Sequence, residues 1–501
     1  MILTRCQFLG RPDVDTIAIH EGRIDGLFSA AALPDHLQDE IRMDMGGRPV
    51  LPGFVDAHVH IFHTGLAECG WRISLDGLTR DETLAALSEA VRARGGGEWV
   101  IASGWDEGTW ARKDYLMREE LDRVSDQSPM AAVRMDGHLV VVNTPALKAA
   151  SEVLRQSRFG ELVDERRGEV REDAVWELLE WLEPDHETLS EALAAAAHHA
   201  HRLGITSVHT MTPPNRVPVL LAAGGRHRLR INVYHRISGP EGMERIDAAG
   251  AYDGEWVRFG GVKAFADGSL GAGNAAVNEP YLFGGRGALN HPDLVMDAIL
   301  DRAERANWQT AIHAIGDRAI EQVLACHERV GTSKRLRHRV EHAELATRDT
   351  IERAGSLGIA LSMQPNFIGN WSGPGSMNER RLGRVRDETS NPLAWVAEAG
   401  TRLALGSDGM PMSALYGVHS AVNGPYPAQR LSVDDALRFY TEGGAWLSFE
   451  EDIKGSLAPG EFADLIVLDD DPRSDPAGIA DRRVEQVFVG GESVYRHPEE
   501  G

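Results

Sequence analysis

The sequence predicts an α/β protein built on a (β/α)8 TIM barrel, with an inserted subdomain after the first strand and a small composite β-sandwich made from both chain termini. Three observations carry this prediction. Through the middle of the chain, eight strand-like runs alternate with helix-like stretches, the pattern of βα units in a parallel sheet. Polar, chemistry-bearing residues close each run, and a barrel of this kind places its active site at the C-terminal ends of its strands. Both chain ends are β-rich, yet neither supplies the three or more strands needed to bury a face alone.

The runs end, in order, at His58-Val59-His60, Val208-His209, Tyr234-His235, Lys263 to Asp267, His313, Glu341-His342, Met363-Gln364 and Ser407-Asp408. Residues 66–186 are too many for one βα connection and are assigned to the insertion. Removing these roughly 120 residues from a span of about 390 leaves about 270, which suits one barrel. At the termini, residues 16–19 and 23–28 flank the turn His20-Glu21-Gly22, and residues 484–489 and 492–496 flank Gly490-Gly491, with 462–468 a further buried strand. The expected organisation is 1–50 plus 445–501 as the β-sandwich and 51–444 as the barrel, including the 66–186 insertion.

Composition narrows the function. Apolar residues make up 42% and charged residues 26% of 501 residues, close to the soluble globular average. No apolar run approaches the ~20 residues that span a bilayer. Residues 1–10 lack the basic start and apolar stretch of a signal peptide. The three cysteines, Cys6, Cys69 and Cys326, suggest neither a disulfide framework nor a zinc knuckle, so a cytoplasmic location is expected. A net charge of -24 repels nucleic acid, and disfavours anionic substrates unless local arginines overrule it. A small-molecule substrate is expected, without nucleic-acid or membrane partners. A homodimer is expected only because closed two-fold assemblies are common.

In the run 54–60, the period of a strand puts His58 and His60 on one face. Imidazole is a common ligand for zinc and neighbouring divalent metals. His313, His342 and Asp408 each end an apolar run, whereas His198, His199 and His201 on an Ala-rich helix, and His497 near the terminus, read as structural. Lys263 sits inside a buried strand and must find a partner or lose its charge. A neutral amine there can take up carbon dioxide as a carbamate, an anionic ligand able to bridge two metals. The competing reading is a cation paired with Asp267 or with a substrate carboxylate. Asp408 follows Gly406, whose missing side chain would let a ligand or a neighbouring strand approach the backbone closely. Its carboxylate could ligate metal and carry a proton, or cap the following helix.

Taken together, residues 51–60 (Leu-Pro-Gly-Phe-Val-Asp-Ala-His-Val-His), Gly104-Trp-Asp106, Asp136-Gly-His138, 262–271 (Val-Lys-Ala-Phe-Ala-Asp-Gly-Ser-Leu-Gly), Ile312-His-Ala-Ile-Gly-Asp317, Arg339-Val-Glu-His-Ala343, Gly406-Ser-Asp408 and the return segment 455–469 resemble the amidohydrolase superfamily. The likeness is to its family 3 branch, which is YtcJ-like and N-substituted formamide deformylase-like. That resemblance implies metal ligands at His58 and His60 on strand one, carbamylated Lys263 on strand four, His313 on strand five, His342 on strand six and Asp408 on strand eight. It implies two divalent metal ions, zinc being the first expectation, and hydrolysis of a carbon-nitrogen bond in an amide, N-formyl or N-acyl group, with Asp408 as general base and then acid. Substrate contacts are expected at Trp105, Asp136, His138 and His209, although for a tryptophan such as Trp105 ordinary packing is the stronger reading. One departure concerns His209, since similar proteins often carry Val-His-Asp where this chain has Val208-His209-Thr210; a core role is equally open to it. The rival readings are a mononuclear-metal deaminase of an aminated heterocycle and a non-catalytic barrel used for binding.

Overall fold

Strands covered on both faces are stabilised by continuous runs of Val, Ile, Leu and Ala, and the eight runs fold as one parallel sheet. In the computed structural model they form β1 (Phe54–Val59), β2 (Ile205–Thr212), β3 (Arg230–Arg236), β4 (Val257–Phe265), β5 (Gln309–Ala314), β6 (Arg339–His342), β7 (Ala360–Met363) and β8 (Leu403–Leu405). Spatial order follows chain order, and every ladder is parallel. The (β/α)8 fold read from the sequence is the one observed. The structure describes residues 1–156, 160–249 and 252–498. Residues 157–159 and 250–251, within the expected 51–444 unit, and 499–501, at the end of the expected terminal unit, lie outside the described residues.

The seam between β8 and β1 is closed by the residues that follow β8. The Asp408 N–H donates to the His58 carbonyl at 2.8 Å. Ser407 donates its N–H and its hydroxyl to the Asp56 carboxylate at 2.9 and 2.5 Å. A Cβ at Gly406 would lie 2.5 Å from the His58 nitrogen, so glycine is what allows this approach, as the sequence suggested. Outside the sheet, helices such as His186–Arg202, Asp293–Ala306 and Asp317–Val330 bury their apolar faces in one continuous core.

Between β1 and β2 lies a separate six-stranded sheet, with Val100–Trp105, Met130–Arg134 and Leu139–Val142 at its centre. Each of its faces carries its own apolar cluster. Its last helix, Asp173–Trp181, brings Trp176 over the barrel mouth. The chain ends form two further sheets, one of four strands from the N-terminus and one of five that mixes both ends. Leu3, Phe8, Ile17, Val50, Leu465 and Phe488 share the core between them. Arg230 on β3 ties that unit to the barrel through Asp464, at 2.6 and 3.1 Å. Among the described residues, no helix is long and apolar enough to cross a membrane.

Closing the seam around a glycine has a measurable consequence. Gly406→Ala should lower the unfolding free energy by about 1–3 kcal/mol, as overpacking of a tight contact does. The readout is a lower urea midpoint; an unchanged midpoint would show that the seam has room for a methyl group.

Candidate metal centre and active site

A cavity of about 430 Å³ opens at the C-terminal ends of the strands, and His58, His60, Lys263, His313, His342 and Asp408 all line it. Ring centroids lie 4.8 Å apart for His58 and His342 and 4.5 Å apart for His313 and His342. One ligand-capable atom from each of His58, His342 and Asp408 falls within 4.8 Å of the others. His342 and Asp408 both hold left-handed backbone, with φ of 72° and 56°. Such positions are uncommon for residues other than glycine and cluster at functional sites.

Hydrogen bonds fix which nitrogen each histidine presents. His58 Nδ1 donates to Glu341 Oε2 at 2.5 Å, His60 Nδ1 to the Met211 carbonyl at 3.1 Å, and His342 Nδ1 to Gln364 Oε1 at 2.7 Å. His313 reverses the pattern, donating from Nε2 to the Gly268 carbonyl at 3.0 Å. Each ring therefore turns a bare lone pair toward the cavity: Nε2 of His58, His60 and His342, and Nδ1 of His313. Burial, reinforced by the neighbouring positive groups, holds His58, His313 and His342 well below the usual imidazole range. Neutral imidazole is the form that binds metal.

The facing atoms do not satisfy one another. His60 Nε2 lies 3.2 Å and His58 Nε2 3.7 Å from Asp408 Oδ1, so lone pairs face a carboxylate oxygen. His58 Nε2, Asp408 Oδ1 and Lys263 Nζ are buried without a hydrogen-bond partner among the described residues. Lone pairs converging on one another call for a cation, and this donor set suits a divalent metal. Lys263 is 1% exposed, and burial lowers its pKa to about 8, against the pull of Glu341 and Asp408. Asp267, the partner weighed for it, instead accepts from the backbone N–H groups of Ala276, Ile315 and Gly316. Asp408 is not a helix cap either, because Ser413 caps helix Ala414–Asn423.

The amidohydrolase family matches residues 42–495 of this sequence. The chain belongs to the amidohydrolase family. Among its relatives, the putative amidohydrolase YtcJ of Bacillus subtilis is 30% identical, with 96% of each chain covered. The N-substituted formamide deformylase of Arthrobacter pascens is 24% identical, covering 90% of this chain and 89% of that protein. An uncharacterized metal-dependent hydrolase from Pyrococcus horikoshii superposes with a TM-score of 0.77 at 26% identity, over 95% of this chain and 99% of that one. Its fold and family mark this amidohydrolase as a hydrolase that uses metal.

Of the expected substrate contacts, Asp136 and His138 line the cavity. Asp136 is already engaged by Arg134 at 2.8 Å and by the Ser269 hydroxyl at 2.5 Å. His138 bonds Glu172 at 2.8 Å; burial opposes its charge, but Glu172, Asp136 and Asp408 outweigh burial and raise its pKa to about 9. Trp105 and His209 are placed elsewhere. Trp105 is fully buried in the inserted unit, its indole donating to the Ala132 carbonyl at 3.0 Å. His209 lies inside the barrel beneath the metal centre, accepting from Arg339 at 2.9 Å.

Sequence reasoning passed over the groups that hold the ligands. Arg339 is fully buried and donates to both oxygens of Glu341, to the Ala57 carbonyl at 2.5 Å and to the Ser362 hydroxyl at 3.0 Å. Two charged residues at i and i+2 of a short buried strand were the available signal. Trp176 was also missed; it stacks on His60 with centroids 6.4 Å apart, and no motif marks it. Glu341→Gln should weaken metal retention roughly 10- to 100-fold, as loss of a partner that orients a ligand does. Metal analysis after dialysis against graded chelator reads this, and parent-like retention would show that Glu341 does not orient His58.

Proposed function

We propose that this amidohydrolase cleaves a carbon-nitrogen bond of a small N-formyl or N-acyl compound, with Asp408 as general base and then general acid. The observation that carries this reading is the Asp408 carboxylate, buried and unpartnered at Oδ1, facing the lone pairs of His58 and His60. His58, His60, His313, His342 and Asp408 would hold two divalent ions, for which zinc has suitable ligands. When bound, such ions polarise the scissile carbonyl and lower the pKa of water toward neutrality.

Lys263 prepares its own ligand. Its depressed pKa, about 8, leaves a useful fraction as the neutral amine. That nitrogen forms a bond to the carbon of carbon dioxide and releases a proton, giving a carbamate whose oxygens are anionic. The product replaces an uncompensated buried amine with a group that complements cations.

Asp408 accepts the proton of the attacking water as the new carbon-oxygen bond forms. It then delivers that proton to the leaving nitrogen as the carbon-nitrogen bond breaks. His138, kept charged by Glu172, offers a cationic donor in the same cavity for the charge that develops on the carbonyl oxygen. The Arthrobacter pascens relative, a deformylase of N-substituted formamides, supports the choice of substrates to try first.

The test is a panel of N-formyl and N-acyl amines with metal-reconstituted protein. Asp408→Asn should reduce kcat by about 100-fold or more, the usual scale for losing a general base, while the far-ultraviolet circular dichroism stays that of the parent. Parent-like kcat in the variant would remove Asp408 from the proton path.

A further inference from the structure

The cavity extends from the histidines to a second wall that includes Glu68, Arg72, Asp76, Glu180, Arg216 and Arg236. Most of these charges are already matched. Arg216 forks onto Glu183 at 2.8 and 2.7 Å, Arg236 bonds Glu180, and Glu68 lies 3.0 Å from His199 Nδ1. Asp76 has no cation beside it among the described residues, only the Ser74 hydroxyl at 3.0 Å, and burial raises its pKa.

Arg72 is different. It is 4% exposed and makes no ion pair among the described residues. Its Nη1 donates to His63 Nδ1 at 2.8 Å, and its Nε is buried with no hydrogen-bond partner. His63 cannot neutralise it: burial, then the charge of Arg72, keeps that imidazole well below its usual range. Burial, with Arg216 adding repulsion and Glu183 only partly opposing them, pulls even the Arg72 guanidinium down to about 9. Glu183 is itself forked by Arg216, so the buried Arg72 guanidinium has no carboxylate in contact among the described residues and its charge is poorly compensated. It lies in the wall of the same cavity as the candidate metal ligands, where a ligand can supply what the protein does not.

We propose that Arg72 binds a carboxylate carried by the substrate, so that the enzyme acts on N-acyl or N-formyl compounds whose chain ends in a free carboxylate. This substrate class rests on the hydrolase reading above. Guanidinium and carboxylate match in shape and charge. A monoanionic carboxylate suits one unpaired guanidinium, and Asp76 on the same wall opposes a doubly charged phosphate. The overall charge of -24 repels anions from most of the surface, which makes the one arginine of this wall without an ion pair among the described residues an effective selector.

Calorimetric titration of the metal-loaded protein tests the proposal without requiring turnover. The probes are a keto acid isosteric with N-acetylleucine, having CH2 in place of the amide NH, and its neutral primary-alcohol counterpart. The parent should bind the acid roughly 10- to 100-fold more tightly, the scale of a charged hydrogen-bonded contact. In Arg72→Gln that ratio should collapse toward unity, and Arg72→Lys should fall between them, because lysine keeps the charge without the fork. Circular dichroism and the urea midpoint establish that the variants are folded; if Arg72→Gln does not fold, the parent ratio and Arg72→Lys decide. Equal affinity of the parent for both probes, or an undiminished ratio in Arg72→Gln, overturns the proposal. A panel that is bound but never hydrolysed would overturn the hydrolase reading while the titrations still decide the role of Arg72.

Discussion

The arrangement of the site depends on one buried ion pair, Arg339 with Glu341, inside the barrel directly beneath the metal centre. Taking two such charges out of water costs several kcal/mol per ion. The protein offsets this by surrounding Arg339 with the Ala57 carbonyl, the Ser362 hydroxyl, His209 and the face of Tyr234, 4.8 Å away. Burial works against the charge of Glu341, but Arg339 outweighs burial and lowers its pKa, so Glu341 stays a carboxylate that accepts from His58 Nδ1 and decides where Nε2 points. A hydrophobic pair could fill the same volume; it could not aim an imidazole.

The same division of labour recurs around the cavity. Met211, Gln364 and the Gly268 carbonyl each hold one ring nitrogen so that the other is free. The loop after β8 places Asp408 by closing the barrel seam, so one set of contacts serves both the fold and the site. The inserted unit supplies His138, Trp176 and Arg72 to the cavity wall. Barrel and insertion thus contribute different things: the strand ends carry the candidate metal ligands, and the insertion carries other groups of the cavity wall.

Much of this was legible in the sequence because strand ends are chemically distinctive. A polar residue closing an apolar run has few structural reasons to be there, and the eight runs became eight strands in order. Lys263 stood out for the same reason, as a charge within a strand that had to be buried. The supporting groups were harder to read. Glu341 and Gln364 stood out as polar strand ends, but nothing in the sequence assigns them to His58 and His342, and backbone carbonyls such as those of Met211 and Gly268 have no sequence signature. His209 shows the limit of strand periodicity, which says that a side chain points into the barrel without saying whether it lies above or below the ligand layer. For Trp105 the sequence left both a pocket wall and ordinary packing open, and the structure shows packing, with its indole N–H bonded within the insertion's own sheet. Arg72 belongs to no motif, and its isolation is visible only once the partners of its neighbours are known.

We propose that six side chains from the ends of four strands and from the loop after β8 converge on the same metal ions. Anomalous diffraction from crystals of the metal-loaded protein tests it most directly. The account predicts two peaks bounded by His58, His60, His313, His342 and Asp408, with branched density extending from Lys263 Nζ between them. Peaks confined to other parts of the molecule, or an unmodified Lys263 ammonium paired with a carboxylate and no metal within reach, would contradict it.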